Sequence, residues 1–273
     1  MDERAETSEA VDALARARAL YSESLSPENT LKIREILRQT LENPACLDRR
    51  RLAETWAFLA DVSTCDYLNR WNDAGPAQLA QAEEAVQRAL DIVPDLPSAH
   101  YVTGFIRRAM GDHEAALAAF GKTIDLDPGF IRAYAQKANE LINVGRPEEA
   151  PPLVRHAIAH TRPGNIALGM FYWIIGRAYF FMGRPQDAAE WFTKSVEIRR
   201  NLWYNRLYLV SSYAFSREGE KAAAALRDFD VRFPNYTMAR VVLNERANPN
   251  DHPVVVAGRE RFHEGLRSAG MRE

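Results

Sequence analysis

The chain has 273 residues, 47% of them hydrophobic and 26% charged, the proportions of a soluble globular protein. A net charge of −2 argues against a general nucleic-acid binder, which would usually be basic. Two cysteines, Cys46 and Cys65, suggest no disulfide framework.

The opening MDERAETSEA is acidic and polar, without the basic and apolar regions of a signal peptide. A helical pattern follows at Val11, Leu14, Ala17, Leu20 and Tyr21. Ser26-Pro27-Glu28 starts a second helix, with Pro near its first turn. Leu31, Ile33, Ile36, Leu37 and Leu41 form its apolar face, and Asn43-Pro44 stops it. Residues 1–50 thus read as a degenerate N-terminal repeat or cap. A long helix with Trp56, Leu59 and Ala60 runs from about Arg51 towards Leu68. A connection with Trp71 and Gly75 leads to a helix over Gln78–Ile92, ending at Pro94.

From Leu96 to Phe130 the pattern is helix, turn, helix, proline stop. Gly111 ends the first helix, over about Ser98–Met110, because Gly takes the left-handed conformation without a Cβ clash. Asp112 caps the second helix, whose apolar stripe is Ala116, Leu117, Phe120 and Ile124. Asp127-Pro128 closes it. Gly111 recurs 34 residues on as Gly145. Ala116 recurs as Ala150, Ala188 and Ala222, at steps of 34, 38 and 34. Phe120 maps to Val154, Phe192 and Leu226 in that register. Two turns are near copies, Gly145-Arg146-Pro147-Glu148-Glu149-Ala150 and Gly183-Arg184-Pro185-Gln186-Asp187-Ala188, each with Gly after one helix and Pro opening the next. The connection Thr161–Leu168 holds the four extra residues of the 38 step. The apolar run Met170–Met182 contains Arg177 and is too short to span a bilayer, so it reads as a first helix packed on both sides. After Pro234 the pattern predicts a short helix over Tyr236–Asn244, a polar break over Glu245–His252 containing Pro249, and a last helix over about Pro253–Ser268. Val255, Val256, Phe262 and Leu266 would close the apolar end of the last repeat.

A 34-residue period with a helix–turn–helix in each unit resembles the tetratricopeptide repeat (TPR) family. Its pattern W-x2-L-G-x2-Y…A-x3-F…P is matched by Tyr172-x2-Ile175-Gly176-x2-Tyr179 with Ala188-x3-Phe192, and by Thr103-Gly104 with Ala116-x3-Phe120 and Pro128. The resemblance implies an all-α, right-handed TPR superhelix (α-solenoid) of about five repeats, at 51–96, 97–130, 131–164, 169–202 and 203–236. Capping helices at 237–273 would follow. A narrower resemblance rests on the run Ala223–Arg240, with Phe233-Pro234-Asn235-Tyr236, on Arg261–Met271, and on Trp71-Asn72-Asp73. These are similar to TPR regions C-terminal to bacterial class III adenylate cyclase domains or winged-helix transcription activators. That likeness implies a regulatory interaction module and carries neither catalysis nor DNA binding with it. A bacterial, cytoplasmic protein is the expectation.

Catalytic signatures are missing: there is no Gly-rich phosphate loop, G-x-S-x-G or H-E-x-x-H. His156 and His160 are spaced for one helix face but have no third ligand in a recognised pattern, and both read as solvated. His100 reads as a packed core histidine and Cys65 as a small buried apolar residue. No enzyme activity, cofactor or metal is expected.

In proteins of this fold the first helices of successive repeats line the concave groove. Helical spacing places Tyr101, Phe105 and Arg108 on that stripe, then Arg132, Gln136, Asn139 and Asn143. Trp173, Arg177 and Phe181 follow, then Tyr204, Tyr208, Ser211 and Phe215. Aromatic and Arg side chains give contact area and planar carboxylate recognition, while Asn139 and Asn143 suit the amides of an extended peptide. The expected function is an adaptor or regulator that binds a protein or peptide partner, with no nucleic acid or membrane involved. A small-ligand sensor and a self-associating scaffold are the alternatives.

Overall fold

Caps and prolines set the helix ends in a computed structural model of the chain, which describes residues 3–23, 26–73, 75–245 and 250–273, with side chains from residue 12 on. Val11 as a packing side chain and Pro249 lie outside the described residues. The chain divides into two compact units, Met1–Gly129 and Phe130–Glu273.

The first unit holds α1 (Glu3–Glu23), α2 (Pro27–Glu42), α3 (Arg49–Asn69), α4 (Pro76–Ile92), α5 (Pro97–Ala109) and α6 (His113–Leu126). The Ser26 side chain accepts the Asn29 N–H at 3.2 Å and opens α2, with Pro27 in the first turn. Asp112 does the same for α6, accepting from Ala115 at 3.1 Å, and Gly111 ahead of it takes φ 80°. The helices pack as antiparallel pairs, α1 on α2, α3 on α4 and α5 on α6, and α3 also packs on α2 and α5. One core gathers Leu14, Ile33, Leu37 and Val62; another is alanine-rich and centres on Ala57, Ala82, Val86 and Val102. Between α3 and α4 the backbone of Arg70, Asn72 and Asp73 is left-handed. The Asn72 amide holds this connection down, donating to the Pro27 carbonyl at 3.0 Å and to Thr30 Oγ1 at 3.1 Å.

The second unit holds α7 (Ile131–Asn143), α8 (Ala150–Ala159), α9 (Ala167–Phe181), α10 (Pro185–Ile198), α11 (Trp203–Phe215), α12 (Gly219–Arg232), α13 (Met238–Glu245) and α14 (Pro253–Ser268). A single core runs through it, from Ala135 to Met271. The pairs are α7 with α8, α9 with α10 and α11 with α12. As expected, α9 is packed on both sides, with every residue from Ile174 to Phe181 buried. Two helix starts differ from the sequence pattern. The GRPEEA turn does not open α8 at Pro147: a 3₁₀ turn spans Pro147–Glu149 and α8 begins at Ala150. Pro151 and Pro152 lack N–H groups and are accommodated in its first turn. The helix expected from Tyr236 begins at Met238, and Tyr236 is buried ahead of it, its ring tilted against Trp203 at 5.2 Å. Val256 is also exposed rather than sealing the last repeat.

The small residue of the repeat pattern has a steric reason. A Cβ on Gly104 would stand 2.5 Å from the Phe120 ring, and one on Gly176 2.8 Å from the Phe192 ring. At the same places in the other pairs stand Ala138 with Val154 and Val210 with Leu226, so Phe occurs only opposite Gly. Phe192 is fully buried and has no room to swing away. Gly176→Ala gains about 1 kcal/mol of helix propensity but overpacks at about 1–3 kcal/mol, so urea unfolding is expected to show a net loss. In a Phe192→Leu background the same change is expected to stabilise. Equal effects in both backgrounds would refute this contact as the cause.

Candidate functional site

The stripe expected to meet a partner divides between the two units. In the first, Tyr101, Phe105 and Phe120 meet edge to face, with centroids 5.1 to 5.6 Å apart. The Arg108 guanidinium lies 5.0 Å over Phe105 and 5.3 Å over Phe120. Tyr101 is buried in this cluster, while Phe105 and Arg108 are half-buried and keep a face to solvent. This unit also has an open cavity of about 360 Å³ along α2, α3 and α4, lined by Arg38, Trp56, Leu59 and Glu84 among others.

In the second unit α9 packs between α7 and α11, so their stripes form one face. Arg177 is the hub of that face. It is buried and donates to Asn139 Oδ1, and to Asn143 Oδ1 at 2.9 Å. Its guanidinium also lies 5.3 Å over Trp173 and 5.1 Å over Phe181. The two asparagines expected to hold peptide amides are therefore engaged within the chain, and the arginine expected to take a carboxylate is covered. Spacing places these residues on one face but does not show that they face each other across α7 and α9. Gln136 is buried too. Arg132 is exposed, while Trp173 and Tyr204, whose rings lie 4.9 Å apart, are half-buried. The Trp173 Nε1 is buried with no hydrogen-bond partner among the described residues.

The C-terminal ends of the same helices are covered by α14, which crosses α11 and α9. The Phe262 ring stacks on Tyr208 at 4.2 Å and 19°. Gly258 lies against Phe181, where a Cβ would come within 2.5 Å of the ring, and Gly265 lies against Ser211. Before the helix, Asn250 Nδ2 donates to the Asn143 carbonyl at 2.8 Å, and the His252 ring sits on Gly145. Arg261 donates to the Phe180 carbonyl at 2.9 Å. His263 on the helix pairs with Glu245 at 2.8 Å, and after the helix the Met238 N–H donates to the Arg272 carbonyl at 2.9 Å. Phe181, Tyr208 and Ser211 are thus on the expected face but under the chain's own tail. Burial pushes the phenols of Tyr204 and Tyr208 above their ordinary value. The readable signal for this cover is Gly258 and Gly265, two turns apart on one side of a helix that also carries Phe262.

Three other readings shift. His100 is half-buried, with Nε2 2.9 Å from the Pro94 carbonyl, rather than a packed core residue. Cys65 is half-buried, 3.7 Å from the Tyr21 hydroxyl. His156 is not fully solvated, since it lies between Tyr134 at 4.3 Å and His160 at 4.1 Å. Among the described residues no three His, Cys, Asp or Glu side chains group as a metal site. No described helix is long and apolar enough to cross a membrane.

Residues 171–202 match the family model of the tetratricopeptide repeat. No curated protein matches the chain in sequence. Among solved structures it is similar to PilF of Pseudomonas aeruginosa, with a TM-score of 0.57 and 20% identity over 78% of this chain and 90% of that one. It is similar to PilW, a widely conserved type IV pilus biogenesis factor, with a TM-score of 0.59 and 13% identity over 77% and 90%. TTC0263, a thermophilic TPR protein of Thermus thermophilus, gives 0.55 and 17% over 74% and 98%. At these identities the likeness is one of fold, and the fold is an all-helical, TPR-like solenoid with a tetratricopeptide match at α9 and α10.

Proposed function

We propose that the chain is a non-catalytic interaction module, an adaptor or regulator that takes a peptide or helix of a protein partner on its first-helix faces. The observation that carries this reading is α14, a helix seated on the face of α9 and α11 by aromatic stacking and backbone hydrogen bonds. A surface that accepts one helix in this way has the shape and chemistry to accept another. Beside it, Arg132, Trp173 and Tyr204 keep solvent-facing surface, as do Phe105 and Arg108 in the first unit. Aromatic and Arg side chains of this kind dominate the energetics of protein interfaces. A regulatory role in the cytoplasm agrees with the likeness of the tail to TPR regions beside cyclase and activator domains.

Photo-crosslinking in the source cell tests the proposal. A benzophenone amino acid at Arg132 or Tyr204 is expected to capture the same polypeptide, and one at Trp191 on α10 is expected not to. Capture at Trp191 alone, or at none of the three, overturns the reading. A covalent dimer would favour the scaffold instead.

A further inference from the structure

We infer that α14 is a resident competitor: it holds the face of α9 and α11 closed, and the partner helix that displaces it carries the same surface pattern. This deepens the interaction-module reading and rests on it.

Each helix from α7 to α12 packs on a hairpin partner next to it in sequence. The main packing of α14 is instead across α11 and, less extensively, α9, two of the four first helices whose stripes sequence spacing assigned to a ligand. Its contacts follow a ligand-like rule. Val255, Gly258, Phe262, Gly265 and Leu266 are all buried, and their steps of 3, 4, 3 and 1 keep them on one helical side. Charged residues with solvent-facing surface, Glu260, Glu264 and Arg267, lie away from that side. The two glycines stand where any side chain would strike Phe181 or Ser211, and the aromatic between them meets Tyr208. The face therefore selects a helix with small residues seven apart, an aromatic four after the first, and aliphatic residues at either end. The polar latches Asn250–Asn143, just before α14, and Arg261–Phe180, on it, end on backbone carbonyls, so they add hold without adding side-chain specificity.

If α14 competes, opening the face raises affinity in proportion to the open fraction gained. The test uses the full chain and a fluorescein-labelled peptide of residues 250–273. Two variants loosen α14 by different means: Gly258→Leu/Gly265→Val by steric conflict, and Asn250→Ala/Arg261→Ala by loss of latches. In both, hydrogen exchange is expected to accelerate over 253–268 while α9 and α11 stay protected. The peptide is expected to bind the variants at least ~10-fold more tightly than the wild type. A peptide carrying Phe262→Ala is expected to lose that gain.

If α9 and α11 lose protection together with α14 in both variants, α14 is part of the permanent core and the inference fails. It also fails if α14 loosens and the peptide does not bind. A partner crosslink at Tyr204 of equal yield in wild type and variants leaves the interaction module standing and removes the competition. No crosslink anywhere removes the module, whatever the peptide does.

Discussion

Asp66→Ala is expected to destabilise the first unit by about 3–5 kcal/mol, the usual loss when one partner of a buried ion pair is removed. Asp66 is 0% exposed on α3, and its carboxylate gathers three separate pieces of chain. Arg34 of α2 approaches one oxygen at 3.3 Å, Gln78 of α4 donates to the same oxygen at 3.3 Å, and Asn72 of the connection donates to the other at 3.3 Å. Alanine would leave the Arg34 guanidinium, whose side chain is only 12% exposed, without its counter-charge. It would also take one acceptor from the Asn72 amide, which ties the left-handed connection to the first turn of α2. Asp66→Asn keeps an acceptor and the shape, so its loss should be smaller, about 1–3 kcal/mol. Urea unfolding followed by the fluorescence of Trp56 and Trp71 reads both. Equal stability of wild type and Asp66→Ala would show that the pair contributes nothing.

That cluster also shows what sequence could and could not reveal. The helices of the repeats are legible because their signals are local: a Gly at φ 80° after α5, an Asp cap on α6, a Pro in the first turn of α10. The repeat itself is legible because Gly176 and Phe192 must fit each other, and their spacing recurs. Trp71-Asn72-Asp73 stands out as an unusual connection, yet its reason lies 42 residues earlier, at Thr30. Arg34, Asp66, Asn72 and Gln78 have no common periodicity, so nothing local brings them together.

The candidate site divides in the same way. Helical spacing correctly puts Trp173, Arg177 and Phe181 on one side of α9, because that follows from 3.6 residues per turn. It says nothing of what lies opposite. Arg177 is turned to Asn139 and Asn143, each more than 30 residues away, and Tyr208 to Phe262. The tail is legible as a helix that closes the apolar end of the last repeat, since Val255, Phe262 and Leu266 are all buried as expected. Its crossing over α9 requires Gly258 to be read as a contact with Phe181, a pairing 77 residues apart.

Phe262→Ala carries the second large effect, and it acts on one helix rather than on the whole unit. The ring is 1% exposed and stacked on Tyr208, so truncation should cost about 3–5 kcal/mol of the free energy that holds α14 down. Hydrogen exchange should report that loss over 253–268, where opening becomes about two to four orders of magnitude more frequent. Tyr208 supplies an independent readout. Burial raises its phenol above the ordinary value of about 10, so the folded state holds that proton more tightly than the unfolded state does. The stability this lends is complete below about pH 10 and is lost as pH rises through the raised value. In Phe262→Ala water reaches the phenol, its value falls back towards 10, and tyrosinate absorbance at about 295 nm should rise at lower pH than in the wild type. The sequence of events distinguishes a lid from a core. If Tyr208 ionises in the variant while the helical circular dichroism signal keeps most of its amplitude, α14 has lifted from a face that stands without it. If absorbance and helicity change together in both proteins, Phe262 belongs to the same cooperative structure as α9 and α11, and the face is never open for a partner.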